Sequence, residues 1–171
     1  MKTLARLQRT VFVDRERRLS VGTTATEIER RLAQGDAIVL FAEGTSNDGN
    51  QVLPFRSALI AAAGIGQRRK AGVENGAPSP PVEVRTLSLA YTHLHGIALG
   101  RYQRPQIAWY GDMRLGGHVW ALLRNGPLDV HVRIGDPVAL SGLPDRKALA
   151  RHGEDEVRRT VAALLRQGGA G

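Results

Sequence analysis

The residues best placed for chemistry are Glu43, Gly44 and Thr45. They cut off the apolar run from Ala37 to Phe41 and open the polar tract Ser46-Asn47-Asp48-Gly49-Asn50. The apolar run reads as a buried strand, and the Ala-rich stretch from Ser57 to Ala63 reads as a helix with Ser57 at its N-cap. In open α/β sheets, ligands sit beyond the carboxyl ends of strands. The Glu43 carboxylate, the backbone N–H groups of the loop and the Arg56 guanidinium could therefore line a polar pocket. On spacing alone, the same residues also make an ordinary turn.

Three other groups of residues invite a chemical reading. Asp14-Arg15-Glu16-Arg17-Arg18 ends the β-type run Thr10-Val11-Phe12-Val13, and by charge pattern it is a solvated face. His93 and His95 could share one face of an extended segment, but no Asp, Glu or Cys nearby completes a metal set, so they read as loop histidines. His131 and Asp136 have His-x4-Asp spacing inside a strand, where positions five apart point to opposite faces. No metal site and no catalytic residue is assigned from these patterns.

The elements that must position these groups follow from periodicity. Thr24 to Glu27 has capping-box spacing, and Ala25, Ile28 and Leu32 repeat as a helix until Gly35. Gly64 to Pro81 is a Gly/Pro-rich loop carrying Arg68-Arg69-Lys70. Further strands are predicted at Val82–Tyr91, Gln106–Tyr110 (with Trp109 and Tyr110 packing the sheet) and Asp129–Ile134. A short apolar helix is predicted over His118–Leu123, and a long one from Pro144 to Gly168-Gly169. The order strand, helix, strand, helix predicts an α/β fold with a mixed, largely parallel sheet flanked by helices, in one domain spanning 1–171.

Composition narrows the partners. The 42% apolar and 23% charged residues are those of a globular protein, and no cysteine is present for disulfide or thiolate chemistry. No apolar run approaches the ~18 residues that cross a bilayer, and the first residues have no signal-peptide core. The 24 Lys and Arg against 16 Asp and Glu leave a net charge of +8, which suits an anionic partner. Aromatics at 5% and arginines spread along the chain, without a recognisable binding motif, argue against nucleic acid.

The string FAEGTSNDGNQVLPFRSA resembles the third conserved block of the glycerolipid (1-acyl-glycerol-3-phosphate) acyltransferase family, Phe-Pro-Glu-Gly-Thr followed by Phe-Lys-x-Gly. VFVDRERR resembles the second block, with Arg15 at the position that helps hold the acceptor's phosphate in relatives. VEVRTLSLAY resembles the fourth block. The resemblance implies acceptor-binding roles: Arg15 on an anionic head group, Glu43, Gly44 and Thr45 shaping the pocket, and Arg56 adding positive charge. Ala42 and Thr86 stand where the family has prolines. Ser46 stands where it usually has an arginine, as in a bacterial branch. That loss makes lyso-ornithine lipid, or another amino-acid lipid, an alternative acceptor to a lysophospholipid.

The resemblance implies acyl transfer from acyl-CoA or acyl-carrier protein to the hydroxyl of a lyso-lipid, with no other cofactor. The setting for the family would be an anionic membrane surface, peripherally at the cytoplasmic face of the inner membrane, with a cytoplasmic location as the alternative for this chain alone. The family's general base comes from a first block, His-x4-Asp, that precedes the second. Only ten residues precede Val11 and none is a histidine. The expectation is therefore an N-terminally truncated acyltransferase-like chain with little turnover alone, or a non-catalytic lipid-binding remnant.

Overall fold

The computed structural model describes residues 20–63 and 82–168. The expected strand at Thr10–Val13, Arg15 and the Arg68–Lys70 trio lie outside the described residues. Two compact units form: the first takes in residues 20–42, 57–63 and 82, the second residues 43–56 and 83–168.

In the first unit, helix α1 (Ser20–Ala33) packs against helix α2 (Ser57–Ala62), with Ile28, Ile60 and Ala63 buried. The helix is already under way at Thr24, so Thr24–Glu27 is not a capping box. Glu27 instead takes Arg30 and Arg31 at 2.8 and 2.7 Å, and these hydrogen bonds hold its carboxyl down at about 2. Gly35 ends α1 as its spacing predicts. Its φ of 83° lets Gly35 N–H reach Leu32 O and Asp36 N–H reach Arg31 O, a Schellman closure. Residues 37–41 are not a strand: Phe41 is 79% exposed, and no ladder forms there.

Among the described residues, the second unit is built on a three-stranded sheet of order β2-β1-β3 in which both pairings are antiparallel. The expectation of a largely parallel sheet is thus corrected. Strand β1 (Arg85–Leu94) turns at His95-Gly96 into the short β2 (Ile97–Ala98). Both turn residues have positive φ, as a tight two-residue hairpin requires. Helix α3 (Arg104–Ile107) replaces the strand predicted at Gln106–Tyr110, since Pro105 sits in a first helical turn, where its missing N–H costs nothing. Trp109 follows this helix, and its Nε1–H donates to Met113 O at 2.7 Å. Helix α4 (Leu115–Asn125) is followed by strand β3 (Leu128–Pro137) and helix α5 (Arg146–Gln167).

Alternation along β1 sorts its two faces. Thr86, Ser88, Ala90 and Thr92 are buried on the face that α5 packs against. These small side chains let the helix come close, and Gly153 adds to that approach. Val157 and Val161 of α5 then form a core with Val52, extended by Phe55 and Leu165. On the other face Leu87, Leu89 and Tyr91 pair with Ile134, Val132 and Val130, and most of this apolar surface is exposed.

Two glycines should respond oppositely to a methyl group. A Cβ on Gly135 would collide with Thr86 Oγ1 and Glu156 Oε1, whereas one on Gly153 would lie 3.5 Å from the Phe55 ring, an ordinary contact. Denaturant melts of Gly135→Ala are expected to show a loss of about 1–3 kcal/mol. Gly153→Ala, inside a helix, is expected to gain about 0.5–1 kcal/mol.

A second expectation concerns the start of α5, where the Asp145 side chain accepts from Ala148 N–H at 2.7 Å. That bond lowers the carboxyl's pKa below its ordinary 3.8. Its contribution is complete above pH 3.8 and lost as pH falls through the lowered folded value. Asp145→Asn keeps the cap and is expected to remove this part of the acid slope of Tm; an unchanged slope would exclude the cap as its source.

Candidate functional site

Residues 43–56 have no strand or helix of their own, so their backbone groups must find other partners. Glu43 supplies the first closure. Its Oε2 accepts from Leu53 N–H at 2.7 Å and from Asn47 Nδ2 at 3.0 Å, tying the two ends of the loop. Asn47 Oδ1 accepts from Gly49 N–H at 2.8 Å, and Asp48 accepts from the Asn50 N–H and side-chain amide, which lowers the Asp48 pKa. These are Asx-type turns, the ordinary use of Asn and Asp beside glycine. Gly44 is buried with φ 70°, and Gly49 has φ 78°.

The loop is docked as well as closed. Arg104 on α3 donates from Nη1 to Asn50 Oδ1 at 3.1 Å and from Nη2 to Leu99 O at 3.0 Å, while its Nε is buried with no partner. At the other end, Phe55 N–H donates to Glu154 Oε2 of α5 at 3.0 Å. Arg158 in turn holds Glu154 Oε1 at 2.8 Å.

Sequence reasoning placed Glu43, Gly44, Thr45 and Arg56 in one loop. The structure gives Glu43 and Gly44 parts in holding that loop, and leaves Thr45 and Arg56 exposed. Asn47, Asn50, Arg104 and Glu154 were missed. The Asn-x-Gly spacing at Asn47 was a usable signal; nothing local points to Arg104 or Glu154, which lie 54 and 99 residues from their partners.

The histidines are placed apart. His93 on β1 lies 3.5 Å from the Asp129 carboxylate and 3.1 Å from Thr92 Oγ1, and His95 turns the hairpin. His131 pairs in register with Ala90, and no hydrogen bond or ion pair joins it to Asp136. Among the described residues no group of three His, Cys, Asp or Glu could hold a metal ion. A separate polar cleft of about 270 Å³ opens between α5 and β3, lined by Thr86, Ser88, Arg133, Asp136, Glu156 and Arg159. It contains none of the residues given acceptor-binding roles from sequence, though Asp136 of the His-x4-Asp spacing and Thr86 line it.

The family profile named Acyltransferase matches residues 1–67, a span that takes in Arg15, the Glu43 loop and Arg56. The lyso-ornithine lipid O-acyltransferase of Brucella abortus (strain 2308) is 49% identical over 159 residues, covering 93% of this chain and 57% of that protein. This chain belongs to the glycerolipid acyltransferase family. The lyso-ornithine lipid O-acyltransferase of Rhizobium meliloti (strain 1021) is 39% identical over 95% of the chain and 53% of its own length. That of Rhodobacter capsulatus is 31% identical over 91% and 51%. The chain spans about half the length of the curated relatives it matches. No solved structure matches it.

In this chain Glu43 thus serves as an internal clasp. Glu43→Ala leaves Leu53 N–H without its acceptor, and is expected to cost about 1–3 kcal/mol and to raise hydrogen exchange at Leu53 and Phe55 first. Equal exchange in both proteins would show that the carboxylate does not hold the loop.

Proposed function

We propose that this chain carries the acceptor-binding part of a lyso-lipid O-acyltransferase, with lyso-ornithine lipid as the acceptor. The observation that supports this most is the 49% identity, over nearly the whole chain, to a protein of that name. Ser46 supports it too: where an arginine would offer a bidentate partner to phosphate, this loop offers a hydroxyl. A head group with less negative charge than a phosphate monoester fits that change.

In the proposed reaction the acceptor hydroxyl attacks the carbonyl of an acyl thioester of CoA or carrier protein. The new C–O bond forms, the C–S bond breaks, and the hydroxyl's proton passes through a base to the departing thiolate. Arg15 binds the acceptor's anionic group, the Glu43–Gly44–Thr45 turn shapes the pocket, and Arg56 adds positive charge. No cofactor is needed besides the thioester co-substrate. The general base is assigned to the family's first block; the His131–Asp136 pair, which has the His-x4-Asp spacing, lies in β3 and is not taken as that base. Loss of a general base costs ~10²–10⁴ in rate.

The net charge of +8 supports work at an anionic membrane surface, proposed here as the cytoplasmic face of the inner membrane. No helix among the described residues is long and apolar enough to cross a membrane.

The test is equilibrium binding of detergent-dispersed lyso-ornithine lipid and lysophosphatidate to the purified chain, beside an acyl-transfer assay with a labelled thioester. Tighter binding of lyso-ornithine lipid, weakened at least tenfold by Arg15→Ala, together with little turnover, is the expected result. Preference for lysophosphatidate would move the chain to the phospholipid branch. Robust turnover would overturn the assignment of the base.

A further inference from the structure

Helix α4 has an inner side fixed by the fold. His118 is buried, its Nε2–H donating to Ile107 O at 2.9 Å, and Leu115 and Leu122 are half-buried near it. At about 100° per residue, Val119, Leu123 and Trp120 then fall on a separate arc about 100° wide. All three are in water: Val119 is 43%, Trp120 63% and Leu123 72% exposed. Gly116 lies in the middle of this arc, with open space where a side chain would be. Three large apolar side chains on one helix face form a patch that singly scattered apolar residues do not.

The charges around the patch identify its occupant. The helix contains no acidic residue; exposed Arg114 precedes it, and exposed Arg124 lies in its last turn beside Trp120's side of the arc. From Gly100 to Asn125 the only acid is Asp112, against Arg101, Arg104, Arg114 and Arg124. A short helix with Trp and Leu outward and arginines at its margins has the composition of an element lying in a lipid–water interface.

We propose that α4 docks on an anionic bilayer, with Val119, Trp120 and Leu123 entering the boundary between head groups and acyl chains and Arg124 meeting lipid phosphates. The proposal rests on the lipid-acceptor reading for its purpose only. Vesicles without lyso-lipid test α4, whereas detergent-dispersed acceptor tests the pocket, so either can fail alone.

The chain has two tryptophans, Trp109 and Trp120, which makes the test direct. In Trp109→Phe the remaining fluorescence comes from Trp120. With vesicles of equal phosphatidylglycerol and phosphatidylcholine, its emission is expected to shift to the blue and to be quenched by bromine-labelled acyl chains. In Trp120→Phe both effects should be largely lost. Val119→Ser/Leu123→Ser, at exposed positions, is expected to weaken sedimentation with these vesicles at least tenfold while leaving the thermal midpoint unchanged. Arg124→Glu should weaken binding to the anionic vesicles and leave binding to pure phosphatidylcholine unaffected. Unquenched Trp120, or undiminished vesicle binding by the double serine variant, overturns the proposal. So does a vesicle-free dimer that the double variant abolishes, which would assign this face to a second copy of the chain.

Discussion

Two carboxylates hold the irregular loop that carries the family's signature. Glu43 takes the N–H of Leu53, and Glu154 takes the N–H of Phe55. A segment without a ladder or helix must pair its buried N–H groups some other way, and charged acceptors make the stronger hydrogen bonds. The arrangement divides the work: Glu43 closes the loop on itself, and Glu154 fastens it to α5. With the backbone anchored there, Val52 and Phe55 are brought to Val157 and Val161, so the polar clasp and the apolar core support each other.

The choice of α5 as the anchor has its own sequence logic. A 22-residue helix with apolar positions at Leu149, Val157, Val161 and Leu164 presents one long buried stripe. It meets the side of β1 that carries Thr86, Ser88, Ala90 and Thr92, whose small size leaves room for the helix backbone. The large apolar residues of β1 and β3 point the other way. The sheet thus spends its small face on internal packing and leaves its large face outward.

Much of this was legible from periodicity, and the failures have physical causes. Strands β1 and β3 and helices α4 and α5 follow patterns set by alternation or by helical spacing, which depend on few neighbours. Gly35 and the Asn-Asp-Gly tract were readable because left-handed φ and Asx turns favour particular residues. Strand direction was not readable, because alternation is the same whichever way a strand runs. Residues 37–41 have strand-like composition, but composition supplies no pairing edge. Gln106–Tyr110 alternates like a strand, yet Pro105 starts a helical turn just before it. Within the loop, Glu43 was singled out for acceptor binding, whereas its bonds to Leu53 and Asn47, and the ties through Arg104 and Glu154, exist only once distant segments meet.

The shortest helix ties these parts together. At its first residue, Arg104 holds Asn50 of the loop and Leu99 O before β2's return is lost; at its last, Ile107 O receives His118 of α4. Gly49 packs against the same turn, where a Cβ would lie 3.5 Å from both Ala108 and the half-buried Tyr91 ring, whose hydroxyl pKa burial raises. One helical turn therefore fixes the loop on one side and the orientation of α4 on the other. Because His118 is tied to a main-chain carbonyl, the outward direction of Trp120 and Leu123 follows from the backbone of α3. Their exposure is a property of the fold, and the loop bearing Glu43 is built on that same backbone.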